Sequence, residues 1–281
     1  MSVAEHSQLG DLVARDVVGD RLWFYTNYHC NLTCSYCLTG SSPRAPRRQL
    51  DPAAIIRLAD DAAAAGFACS GISGGEPFLN PWLPDLAIAL ARKLPLVLLT
   101  NGTLFTPRLL ERVAPFAPLP IEVQISLDSA DPIENDTMRG PDNHAKVVGA
   151  IPRLVERGIT VRIATTIDDT GTEGLPRLCE LHRSLGVDDD HHIVRPIIAR
   201  GRATSTGYGI PVGQPQLRPE LTLTADGAFW SPFGATSADG RTLDTEMLLC
   251  RTIEPLRTPV DALVTAVEGR PPGEDASIGI R

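Results

Sequence analysis

Arg21-Leu22-Trp23-Phe24-Tyr25-Thr26 and, after three further residues, Cys30-Asn31-Leu32-Thr33-Cys34-Ser35-Tyr36-Cys37 decide how this chain is read. The first run is extended, apolar and aromatic, which predicts a strand. The second is a C-x3-C-x2-C array on the loop that leaves it. Three thiolates on one loop form a tripod that can hold three irons of a 4Fe–4S cubane and leave the fourth without a protein ligand. An open coordination position is what separates a working metal site from a structural one. A zinc knuckle is the plainer alternative. Zinc sites usually pair two C-x2-C halves or add histidines at fixed positions, and neither His6 nor His29 provides that spacing. The thiolate-only set favours iron–sulfur over zinc.

At these residues the sequence resembles the radical S-adenosylmethionine (radical SAM) enzymes, whose cluster loop has this spacing and an aromatic before the last cysteine, here Tyr36. A second family feature follows in order as Ser73-Gly74-Gly75-Glu76-Pro77, again after a short apolar run. Two motifs in the right order are much more specific than either alone. The resemblance implies a 4Fe–4S cluster on Cys30, Cys34 and Cys37 as the catalytic metal site. Its open iron would be chelated by SAM, which is cleaved to methionine and a 5′-deoxyadenosyl radical. It also implies that Gly74, Gly75 and Glu76 meet the methionine amino group. Glycines suit that place because a strand end without Cβ atoms can approach a ligand closely, and a carboxylate suits an ammonium.

The same resemblance, to the molybdopterin-precursor cyclase and peptide-maturase branch, makes Thr100, Ser126 and Arg162 polar SAM contacts on the third, fourth and fifth strands. Asp128 and Arg139 also match that branch, and Tyr36 and Val194 would meet adenine largely through backbone. Each has a plainer reading beside it. Arg162 could be a solvent-facing strand arginine with its stem on apolar surface, and Asp128 or Arg139 could cap a helix or pair locally.

Composition narrows the class. The chain has 281 residues, a 43% apolar fraction and a net charge of −8, which fits a soluble globular protein with a proper core. The negative charge disfavours broad nucleic-acid or membrane-surface binding. No apolar run is long enough to span a bilayer, and residues 1–20 read as a polar leader rather than a signal. Six cysteines, three in one loop and three scattered, are no disulfide framework for this length, so a reducing cytoplasmic home is expected. Lysine occurs only at Lys93 and Lys146, which argues against Schiff-base chemistry.

Along residues 21–200, strand and helix alternate six times. Strands are expected at Arg21–Thr26, Phe67–Ser73, Leu96–Thr100, Ile121–Leu127, Thr160–Ile167 and His192–Ile197. Helices are expected at Pro52–Ala65, Pro84–Lys93, Thr106–Val113, Asn143–Arg157 and Leu175–Leu185, with Asp51-Pro52 and Gly66 bounding the first and Pro152 bending or restarting the fourth. Such alternation demands a parallel sheet with helices outside. Six units fit a partial (β/α)6 TIM-like barrel, which is also the fold the resemblance implies. Chemistry in such barrels gathers at strand C-termini, where the cysteines, Gly-Gly-Glu, Thr100, Ser126 and Asp128 fall.

Residues 201–281 read as a small C-terminal extension that closes the barrel. It has a Gly/Pro/Ser/Thr-rich loop to Arg218, a hairpin Leu221–Trp230 around Asp226-Gly227, a helix Thr258–Glu268 and a loose Pro271-Pro272-Gly273 tail. Cys69, Cys179 and Cys250 read as buried apolar residues. Since Trp230-Ser231-Pro232-Phe233 and a lone Cys250 offer no second cysteine set, one cluster is expected. His191 and His192 read as a solvated turn and strand start. A small-molecule substrate is the preferred expectation, because the sequence shows no peptide-recognition domain and no auxiliary-cluster cysteines. A ribosomal-peptide maturase is the alternative in the same superfamily, and a non-catalytic iron–sulfur or zinc module the alternative outside it. An external reductant, a flavodoxin or ferredoxin, is implied by the lack of any other redox motif.

Overall fold

A computed structural model of the chain describes residues 8–168, 171–207, 209–213, 217–238, 241–243 and 245–268. Six parallel strands follow one another in the sheet: β1 Arg21–Tyr25, β2 Cys69–Ser73, β3 Leu96–Thr100, β4 Ile121–Ser126, β5 Thr160–Ile167 and β6 His192–Pro196. Helices α2 Pro52–Ala65, α3 Leu83–Ala91, α4 Pro107–Val113, α6 Asn143–Val155 and α7 Leu175–Ser184 alternate with them. The (β/α)6 expectation therefore holds.

The strands bury both faces. Leu22, Phe24, Ile72, Leu98, Val123, Ile125 and Ile163 join one core cluster with Ile55, Leu58, Leu86 and Ile151 of the surrounding helices. Successive strand side chains point to opposite faces, so Trp23, Tyr25 and their neighbours in register face the barrel interior. Trp23 lies across Gly71 of β2, where a Cβ would sit 2.2 Å from its ring. Helix α2 starts as read, with the Asp51 side chain accepting from Ala53 N and Gly66 in the left-handed conformation at its end.

The extension is built into the barrel sheet. Strand β7 (Leu221–Thr224) pairs parallel with β1, β8 (Gly227–Trp230) turns back antiparallel on β7, and β11 (Leu248–Cys250) pairs antiparallel with β8. The resulting nine-stranded sheet runs β11-β8-β7-β1-β2-β3-β4-β5-β6, so β1 lies in its interior. The short strands β9 (Ser237–Ala238) and β10 (Arg241–Thr242) form a separate ribbon. The hairpin was legible at Asp226-Gly227; its docking beside β1 was not.

Four local expectations change. The polar leader contains helix α1 (Gln8–Ala14), which buries Leu9 and Leu12 and packs beside α9 (Arg257–Glu268). Residues 202–206, read as loop, form the short helix α8 (Arg202–Thr206). Helix α6 continues through Pro152 without a restart. An unanticipated helix, α5 (Pro132–Arg139), follows β4. Asp131 caps it by accepting from Ile133 N and Glu134 N, with Pro132 at its first position. That is the ordinary start signal of a helix. The Pro271-Pro272-Gly273 tail lies outside the described residues. Among the described residues no helix is long and apolar enough to cross a membrane.

Candidate active site

The loop after β1 and the turn after β2 are laced together at the C-terminal mouth of the barrel. Gly75 N donates to Asn27 O (2.6 Å) and Glu76 N to His29 O (3.0 Å). The Asn27 side-chain amide donates to His29 O (2.8 Å) and Glu76 O (3.2 Å). Gly74 and Gly75 sit where this approach is closest. A Cβ on Gly75 would lie 2.3 Å from His29 O, and one on Gly74 2.5 Å from Asn27 Oδ1. The glycine pair lets the cluster loop lie against the end of β2.

Glu76 is completely buried. Its Oε1 accepts from Phe78 N (3.0 Å) and Thr100 Oγ1 (2.8 Å), and its Oε2 accepts from Asn101 N (2.8 Å). Burial pushes its pKa up to about 7, against those three hydrogen bonds, which lower it. The carboxylate therefore faces the chain's own donors and ties the end of β2 to the end of β3. From there Asn101 Nδ2 donates to Asn31 Oδ1 (2.9 Å) and lies 3.8 Å from Cys30 Sγ.

A second tie runs from the cysteine loop to β4 and β5. Tyr36 donates its hydroxyl to Asp128 Oδ2 (2.5 Å), and Arg139 Nε donates to the same oxygen (2.6 Å). Asp128 Oδ1 accepts from Thr166 N (2.9 Å), while Asn135 Oδ1 accepts from Asp128 N (3.1 Å). Asp128 and Arg139 are thus a buried ion pair, and the Arg139 guanidinium lies 5.6 Å from the centre of the Tyr36 ring. Burial opposes the charge on Arg139 most strongly, but Asp128, Tyr36 and Cys34 together outweigh it and the pKa ends above its ordinary value. Helix α5 delivers Arg139 and also Met138, whose carbonyl accepts from Ser35 N (2.9 Å).

A third tie was not legible in the sequence. Arg202 of α8 donates through Nε to Cys34 O (2.8 Å) and through Nη2 to Ser41 O (2.6 Å), and its N donates to Cys37 O (3.0 Å). Gly201 has φ +56 and lies so close to the loop that a Cβ would meet Leu38 O at 2.3 Å. The chain leaving β6 therefore clamps the cysteine loop from outside.

The three cysteines are free thiols. Burial pushes Cys30 up to about 12 and Cys34 up to about 11. Thiolate is the form that binds metal, and a bound cation supplies the charge that produces it. Among the described residues no three His, Cys, Asp or Glu side chains converge to hold one ion. The glycine cradle and the thiol-only donor set fit a 4Fe–4S cluster.

Beside Cys37 a cavity of about 210 Å³ opens into the barrel, lined among others by Tyr25, Tyr36, Ser73, Gly74 and Thr166. Tyr25 donates its hydroxyl to Thr39 Oγ1 (2.7 Å), which lies 3.6 Å from Cys37 Sγ. Of the other expected contacts, Thr100 and Asp128 lie at strand ends but face the scaffold just described. Ser126 ends β4. Arg162 sits in register with Gln124, short of Ser126, and pairs with Glu122 (3.0 Å). The Val194 side chain is 40% exposed, while its neighbour Arg195 lines the cavity. Cys69, Cys179 and Cys250 are only partly buried: Arg21 Nε donates to Cys69 Sγ (3.2 Å), and Cys250 Sγ donates to Thr252 O (3.1 Å). Cys179 Sγ lies 3.6 Å from His192 Nδ1, whose ring packs 4.4 Å from buried His182.

The family model described as the radical SAM superfamily matches residues 25–175, more than half of the chain. The chain belongs to that superfamily, whose members use a 4Fe–4S cluster and SAM. Among curated proteins it is 30% identical over 159 residues to the AdoMet-dependent heme synthase of Methanosarcina barkeri, covering 56% of this chain and 45% of that one. It is 29% identical over 223 residues to the mycofactocin maturase MftC of Mycobacterium tuberculosis, covering 75% and 56%. The chain thus spans about half the length of the curated relatives it matches. Streptococcus suis SuiB bound to precursor peptide SuiA shares the fold, with a TM-score of 0.62 at 14% identity over 96% of this chain and 78% of that one.

Proposed function

We propose that this chain is a radical SAM enzyme of the peptide-modifying kind. In this reading Cys30, Cys34 and Cys37 hold one 4Fe–4S cluster, and SAM takes the side of the cavity formed by Tyr36, Cys37, Ser73 and Gly74. The observation that carries it is the three-thiol loop laced by backbone to Gly75 and Glu76 above a cavity that enters the barrel. The bound cluster and SAM supply the electron and the radical; the chain's own task is binding, orientation and exclusion of water. Gly74 and the carbonyls around it offer acceptors to an ammonium, and Thr166 offers a hydroxyl in the cavity wall, with Ser126 at the end of β4. Glu76, Asp128, Arg139 and Arg202 hold the loops that carry these groups. An external reductant such as a flavodoxin or ferredoxin would supply the electron.

The substrate reading shifts from the small molecule expected on sequence to a peptide. One curated relative is named as a PqqA peptide cyclase, at 28% identity over 57% of this chain; beside it stand the mycofactocin maturase MftC over 75% and AlbA, a protein of bacteriocin subtilosin biosynthesis in Bacillus subtilis, at 30% identity over 58%. The heme synthase keeps the small-molecule alternative alive at equal identity but lower coverage. The test is anaerobic turnover of reconstituted, reduced protein with SAM, adding either a library of short peptides or a mixture of small metabolites. Stimulated 5′-deoxyadenosine release with peptides and a mass change in one of them is the expected result. Stimulation by metabolites alone would restore the small-molecule reading.

A further inference from the structure

The interior of the barrel carries charged side chains that the cluster loop does not use, and all but one of them have partners. Arg162 pairs with Glu122. Arg21 reaches Cys69 and lies over the Trp23 ring, and Trp23 donates its indole N–H to Glu220. Arg195 is the exception. Its Nε and Nη2 are buried with no hydrogen-bond partner among the described residues, and no ion pair joins it to any of them.

The charges around it make this more costly. Arg162 and Arg21 repel the Arg195 guanidinium, and Glu220, engaged by Trp23, is the one carboxylate that attracts it. Burial first, then Arg162, pulls its pKa down to about 10, and it stays charged at neutral pH. Two buried donors of a cation left unpaired are destabilising, and the half-buried Arg195 stands in the cavity wall, where a bound anion can meet it. The guanidinium is planar, and its donors match a carboxylate. The same cavity wall is apolar around it, with Leu99, Ile197, Ile198 and Phe233.

We propose that Arg195 anchors a carboxylate of the substrate, whose apolar or aromatic body lies against Leu99, Ile197 and Phe233 in the barrel cavity. This rests on the peptide-modifying reading, where a chain-terminal carboxylate and an acidic side chain are the two sources of that group. The interaction is ionic and needs neither cluster nor SAM, so it can be tested apart from turnover.

The experiment measures the melting temperature of the full chain with millimolar N-acetylphenylalanine, N-acetylglutamic acid α-amide, or N-acetylphenylalanine amide as the neutral control. A ligand that binds only the folded state raises that temperature. Expected is a rise of a few degrees with at least one of the two acids, none with the amide, and none with any probe in Arg195→Gln. The better acid identifies which carboxylate is recognised. Equal shifts with acid and amide, a shift retained in Arg195→Gln, or no shift with either acid would overturn the assignment. Two further readouts guard against other roles. Arg195→Met should melt no lower than wild type, because it removes an unpartnered charge; a loss of many degrees would show a partner within the chain. SAM binding by equilibrium dialysis should change less than about twofold in Arg195→Gln, whereas a loss of about tenfold or more would give the guanidinium to SAM's own carboxylate and overturn the proposal.

Discussion

Tyr36, one residue before the last cysteine of the cluster loop, donates its hydroxyl to Asp128 at the end of β4 (2.5 Å). The aromatic in the motif is therefore a strut as well as a neighbour of the cavity. It joins the loop after β1 to the loop after β4 through the same carboxylate oxygen that Arg139 uses.

Breaking that strut at its two ends should give unequal results. Asp128→Ala leaves Arg139 charged and buried, and removing one partner of a buried pair costs about 3–5 kcal/mol. Tyr36→Phe removes one neutral donor and should cost about 1–2 kcal/mol. Urea unfolding of the two variants checks the order, which would be reversed if Tyr36 rather than the ion pair held the loop.

Gly75→Ala should damage the site more than its size suggests. The new Cβ meets His29 O and Tyr28 O, both backbone atoms, at 2.3 and 2.7 Å. Since neither can rotate away, the β1 and β2 loops must separate, at a cost of roughly 1–3 kcal/mol or more. Iron retained after reconstitution should fall in parallel with the urea midpoint. Full iron and an unchanged midpoint would mean that the glycine is not needed for close approach.

Arg202→Ala should leave the fold intact but loosen the cluster loop, because it removes donors to Cys34 O and Ser41 O. A faster loss of iron to a chelator and a changed electron paramagnetic resonance line shape of the reduced cluster are expected. Arg202→Lys should rescue only in part, since one ammonium cannot reproduce the guanidinium's fork. Full rescue by lysine would reduce the role to charge alone.

Stability should also depend on pH through two buried carboxylates. Burial raises both Glu76 and Glu220 to about 7, whereas an unfolded glutamate titrates near ~4.3. The folded chain therefore holds protons that the unfolded chain releases. Their contribution is fully present below about pH 4.3 and is lost as pH rises through about 7. Each shift corresponds to roughly 4 kcal/mol at most. Glu220→Gln keeps an acceptor for Trp23 and removes the titration, so it should gain on wild type in urea midpoint between roughly pH 5 and pH 8. A constant difference across that range would contradict the buried, protonated carboxylate.

The strands, α2 and the cysteine loop could be read directly because local chemistry sets them: alternation, the Asp51-Pro52 start and the three thiols. Helix α5 carried an equally plain start at Asp131-Pro132 but is short and polar, so no apolar period marks it. Arg139 was found by its motif, while its role as Asp128's partner comes from α5 folding back. Arg202 and Arg195 were out of reach for another reason. Arg202 acts on residues far away in sequence, and only the packing of the chain after β6 brings it to Cys34, while Arg195 stands out only because the fold leaves it without a partner among the described residues. On β6 the expectation fell on Val194, whose side chain turns outward, while the neighbouring arginine takes the inward place. The docking of β7 beside β1 was hidden in the same way, since a strand's sequence does not name its partner.

The central claim is that the Cys30, Cys34 and Cys37 loop holds a SAM-cleaving cluster. The most direct measurement is anaerobic reconstitution of the full chain, followed by iron content and 5′-deoxyadenosine release with reductant and SAM, in wild type and Cys34→Ala. Roughly four irons per chain and 5′-deoxyadenosine in wild type, both lost in Cys34→Ala, are the predicted result. Bound zinc in place of iron, or iron and 5′-deoxyadenosine that survive the Cys34 substitution, would contradict it.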